Sequence, residues 1–78
     1  MRDYMKYVVV EYRGCELPIM FDPILGHNEV STPGTVLGAG EVLIKDNKVC
    51  CWGKSLSLGV KSREDVDAEL IDKMINSY

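Results

Sequence analysis

The run Tyr7-Val8-Val9-Val10 constrains this chain more than any other feature of its sequence. It lies at the centre of an apolar stretch from Tyr4 to Tyr12. Successive side chains of a strand point to opposite faces, and β-branched and aromatic residues suit a pleated surface. Four of them in a row call for a strand covered on both faces. The chain has 78 residues, so residues 1–78 form one domain. A domain of this size buries only about 60% of its unfolded surface. Its core supplies about 3–5 kcal/mol unless a disulfide, a metal or a partner subunit adds to it.

Turn chemistry divides the rest of the chain. Arg13-Gly14 marks a tight hairpin, after which Cys15, Leu17, Ile19 and Phe21 alternate with Glu16, Pro18, Met20 and Asp22. This period of two predicts a strand with one buried face, and Pro18, which cannot donate to a ladder, makes it an edge strand. Residues 22–34 are rich in breakers and are expected to form a long surface loop, with Ile24 and Leu25 tucked onto the core. Thr35 to Lys45 reads as a third strand. Gly38 and Gly40 sit on one of its faces, where a bulge, a bend or a close backbone approach is expected. Asp46-Asn47 is a hairpin turn, Lys48 to Trp52 a fourth strand, and the alternation of Leu56, Leu58 and Val60 with Ser55, Ser57 and Gly59 a short fifth.

A helix is expected after Ser62, with Ser62 and Asp65 approximating a capping box. Val66, Leu70, Met74 and Tyr78, flanked by Ile71 and Ile75, supply its apolar face. Asp67 falls on the apolar side and fits no such pattern. The predicted fold is α+β: a curved antiparallel sheet of four or five strands, or a half-open small barrel, packed against one C-terminal helix.

The net charge of −3 disfavours a general nucleic-acid binder. No apolar run approaches the roughly 20 residues that cross a bilayer, and the N-terminus carries no secretory pattern. Three cysteines without framework spacing agree with a cytoplasmic setting, which is the expected localisation.

The motifs that resemble catalytic or cofactor sites lack their structural context. Gly53-Lys54-Ser55 resembles the end of a phosphate-binding loop, but Lys48 stands where its first glycine belongs and a strand follows. Gly38-Ala39-Gly40 lacks the third glycine of a dinucleotide fingerprint. Cys50 and Cys51 are adjacent on a strand and point to opposite faces, so with Cys15 and His27 they make no regular zinc set. No metal, no cofactor and no catalytic residue is therefore expected.

Binding residues are better candidates. Asp65, Glu69 and Asp72, with Asn76, form a helix stripe opposite the apolar face, which is either a solvated face or a docking surface for a basic partner. Lys45, Lys48, Lys54, Lys61 and Arg63 gather around Trp52, itself either core or an interface anchor. His27 is the one histidine. It is expected to be solvated in the 22–34 loop, or to form a small site there with Asp22, Asn28 and Glu29.

The segments YVVVEYRGCELPIMF (residues 7–21) and KVCCWGKSLSLGVKSREDVDAELI (residues 48–71) resemble small proteins encoded by phages and prophages, a group to which no activity attaches. The resemblance implies a bacterial cytoplasm as the setting and the habit of binding and disabling a host protein. The resulting expectation is a non-enzymatic protein-binding module, and a homodimer on grounds of size and open edges. The alternative is a small-ligand or nucleic-acid binder using the 22–34 loop or the Trp52 region.

Overall fold

The computed structural model describes residues 4–30 and 33–76. The apolar run lies in β1 (Met5–Tyr12), which pairs antiparallel with β2 (Cys15–Phe21) on one side and with β3 (Thr35–Lys45) on the other. A fourth strand, β4 (Lys48–Trp52), pairs with β3, so the sheet order is β2-β1-β3-β4. The short strands β5 (Lys54–Ser55) and β6 (Val60–Lys61) form a separate ribbon, and α1 (Glu64–Ile75) ends the described chain. The protein is thus an α+β fold with a four-stranded antiparallel sheet and one C-terminal helix. No closed barrel forms among the described residues.

Both hairpins turn on two left-handed residues, Arg13-Gly14 (φ 54° and 79°) and Asp46-Asn47 (φ 53° and 64°). Turns of this hand match the twist of the strands they join. The central position of β1 explains its composition, because Tyr7, Val8, Val9 and Val10 are all fully buried. Tyr7 and Val9 face α1 in a core with Val42, Cys51 and Ile71. Val8 and Val10 face the other way, with Phe21 and Ala39. That second face is covered by the connecting segments, through Val30, Leu58 and Val60.

Several sequence expectations are corrected. The described residues of the 22–34 segment form a largely exposed loop, as expected, but His27, in the 3-10 turn His27–Glu29, is buried and not solvated. Ile24 and Leu25 do not tuck in, being 74% and 38% exposed, and Val30 packs in their place. In β2 the alternating face is buried only toward Phe21, since Cys15 is exposed and Leu17 is 42% exposed. The fifth strand is a tight turn instead. Ser55 Oγ accepts the Leu58 N–H, Gly59 N–H reaches the Ser55 carbonyl, and Gly59 lies at φ 67°. Leu56 is consequently 83% exposed.

The helix also departs from its expected cap and face. Its N-cap is Arg63, without a side-chain cap bond, so Ser62 and Asp65 do not form a box. Val66 is 51% exposed, while Asp67 and Ile71 are fully buried. The helix is rotated to place Asp67 against Gly38, where an added Cβ would come within 2.2 Å of Asp67 Oδ2. Tyr78 lies outside the described residues.

Candidate binding surface

The polar groups with chemical potential are drawn inward. Tyr7 Oη donates to Asp67 Oδ2 at 2.6 Å and lies 2.6 Å from Ser62 Oγ. With its one proton committed to the carboxylate, the phenol accepts from Ser62. Asp67 also accepts the Arg63 backbone N–H and Nε–H, both at 2.9 Å. The guanidinium continues outward to Glu16 Oε1 at 2.8 Å, linking the helix start to β2. Gly38 makes this approach possible, because a Cβ there would run into the Asp67 carboxylate; a Cβ at Gly40 would run into the Trp52 carbonyl and crowd Ser62 Cβ at 3.2 Å. Among the described residues no buried side-chain nitrogen or oxygen lacks a partner.

Titration behaviour follows from this burial. Burial, then the neighbouring Asp67, pushes the Tyr7 phenol above its ordinary range. Burial likewise pushes the Cys51 thiol up to about 11. For Arg63, burial works to lower the value, but the bond to Glu16 and the charge of Asp67 outweigh it and leave the guanidinium above its usual range. The network therefore holds a neutral phenol, a neutral thiol and a charged guanidinium at neutral pH. Tyr7 and Asp67 have no solvent exposure, which suits them to fastening α1 to the sheet.

The sequence candidates lie elsewhere and apart from one another. His27 Nε2 is 3.0 Å from the Gly40 carbonyl, which can only accept, so Nε2 carries the proton. Its ring meets Phe21 edge-on at 5.5 Å. Asp22 Oδ1 accepts from Ile24 N–H and Glu29 Oε1 from Gly26 N–H, so the loop's acids serve its own backbone. Cys50 is exposed and Cys51 buried, as their opposite faces require. Among the described residues no group of three His, Cys, Asp or Glu side chains is placed to hold a metal ion.

The basic residues separate into pairs. Lys45 faces Lys48 across the β3–β4 turn, and Lys54 faces Lys61 across the ribbon. Arg63 belongs to the buried network. Trp52 is not core: it ends β4 with 40% of its surface exposed, its ring 6.3 Å from that of Tyr4, which is 37% exposed. On α1, Asp65 and Glu69 are exposed and Asp72 half-buried. Glu69 pairs with Lys73 at 3.1 Å, and Asp72 accepts from Asn76.

One surface element had no signal in the sequence. The helix leaves a groove of about 480 Å³ beside β4, with Val49 and Cys50 along its strand side and Ala68, Glu69 and Asp72 along its helix side. Strand β4 is an edge of the sheet. The two-residue turn makes Lys45 and Lys48 a hydrogen-bonded pair, so the backbone groups of Val49 and Cys51 point outward. At the opposite edge Pro18 lies across from Val9, a position whose N–H would face outward, and its ring blunts that edge. In comparisons with known proteins, no family model, curated protein or solved structure matches this chain.

Proposed function

We propose that this chain is a non-enzymatic protein-binding module. The observation that carries the reading is the aromatic pair Tyr4 and Trp52, 37% and 40% exposed, at the end of the open edge strand β4. Half-exposed aromatics beside unpaired backbone resemble the anchors of protein interfaces, which combine apolar area with few rotamers. The groups that chemistry would need, Tyr7, Asp67 and Cys51, are instead closed inside the domain. The likeness of residues 7–21 and 48–71 to phage and prophage proteins is the ground for taking the partner to be a bacterial host protein.

Affinity capture from bacterial lysate, followed by calorimetry with the purified captured protein, tests the reading. The expected result is a complex of fixed stoichiometry that weakens at least tenfold in Trp52→Ala, on the usual cost of truncating an aromatic anchor. A melting temperature raised by nucleotides or oligonucleotides, with no protein captured, would favour the ligand-binding alternative instead.

A further inference from the structure

We propose that the β4 edge and its groove bind an extended, basic segment of a partner by strand addition; this rests on the protein-binding reading and names its site and its ligand chemistry. Three observations converge on the groove. The edge offers outward N–H and C=O groups at Val49 and Cys51, with which an added strand can pair. The opposite edge is blunted for the same use by Pro18. The wall above the open edge carries Glu69 and Asp72, with Asp65 one turn earlier on the same helix.

Charge decides what the added strand must be. Alternate residues of a strand are about 6.6 Å apart on one face, while Glu69 and Asp72 are about 4.5 Å apart along the helix axis. A Lys-x-Lys segment added beside β4 therefore spaces its cations on the same scale as these two carboxylates. These acids already draw on Lys73 and Asn76, so the partner's cations compete for partly shared charges. Lys48 lines the end of the groove nearest the turn, which favours basic residues beyond it, toward Trp52.

The same charges argue against a second copy of this chain as the occupant. Antiparallel pairing of β4 with itself would centre on Cys50 and set Lys48 opposite Trp52. It would also bring the two Glu69–Asp72 walls against each other, and like charges placed together cost affinity.

The test uses the whole chain labelled with 15N and the peptide Thr-Lys-Val-Lys-Thr-Lys-Val-Lys, with Glu in place of every Lys in its control. Saturable shifts confined to β4 and α1, together with slowed hydrogen exchange at Val49 and Cys51, are expected for the basic peptide alone. The double variant Glu69→Lys, Asp72→Lys, whose sites are exposed and half-exposed, should keep the native spectrum and bind about tenfold more weakly. The idea is overturned by an equal response to the acidic peptide, by no response at millimolar basic peptide, or by shifts on another surface. Protection of Val49 and Cys51 that grows with protein concentration in the absence of peptide would replace it with self-pairing. A captured host protein whose affinity survives the double variant would sink the groove while leaving the binding-module reading intact.

Discussion

Asp67 is fully buried and accepts hydrogen bonds from the Tyr7 phenol and from the backbone and side chain of Arg63. It stood out as an acid on an apolar face, and nothing in the local pattern said what would meet it. Its partners are Tyr7, 60 residues away, and Arg63, one turn back. Only the three-dimensional approach over Gly38 joins them. Tyr7→Phe should cost about 1–3 kcal/mol in denaturant melts, because it strips one bond from a buried carboxylate. Glu16→Ala, which breaks the solvent-facing end of the same chain of bonds, should cost under about 1 kcal/mol. The Cys51 thiol gives a pH dependence. Below pH 9 it keeps its proton folded or unfolded, so it exerts no effect there. Between 9, its ordinary value, and about 11, the unfolded chain releases a proton that the native state retains, so stability falls as pH rises. The loss is of the order of 2–3 kcal/mol at about 1.4 kcal/mol per unit. Tyr7 extends the decline above pH 10. Urea melts from pH 8 to 11 should show it, with a shallower slope in Cys51→Val.

At the scale of elements, strong local patterns survived and weak ones did not. The Tyr7–Val10 run, the two hairpin turns and the edge position of β2 were legible because each is fixed by neighbours in sequence. The glycine pair in β3 was legible as a kind of event. The pairing shifts between Val9 and Val10 there, and the helix start approaches closely. The alternation of residues 55–60 misled because period two needs extended backbone, and Gly59 at φ 67° turns the chain instead. Leu56→Ser separates the two readings: within about 0.5 kcal/mol of wild type for an exposed turn residue, against a loss of 2 kcal/mol or more for a core strand. Gly38→Ala should be among the costliest single changes, since a methyl there displaces Asp67. A loss of about 1–3 kcal/mol by thermal melt is expected from the overpacking alone. The groove beside β4 was not legible, because it depends on how α1 rotates, and Asp67 turns inward with Ile71 while Val66 of the expected stripe turns out.

Across the whole molecule, two thin cores share one strand. Val9 serves the helix side and Val10 the loop side, so neither core can be lost without exposing the other. Unfolding should be all-or-none: the fluorescence of Trp52, at the β4 edge, and the far-UV circular dichroism should trace coincident urea transitions. A separation of the two would show that the halves melt independently. The Tyr7–Asp67 bond has a further consequence, for time rather than stability. It ties the beginning of the domain to its last helix, so loop closure over nearly the whole chain must precede the reward. Such long-range closure makes folding slow for a domain of this length. During synthesis, the apolar Tyr7–Val10 segment leaves the ribosome well before β3, β4 and α1, so it stays uncovered and open to chaperones and to self-association until they follow.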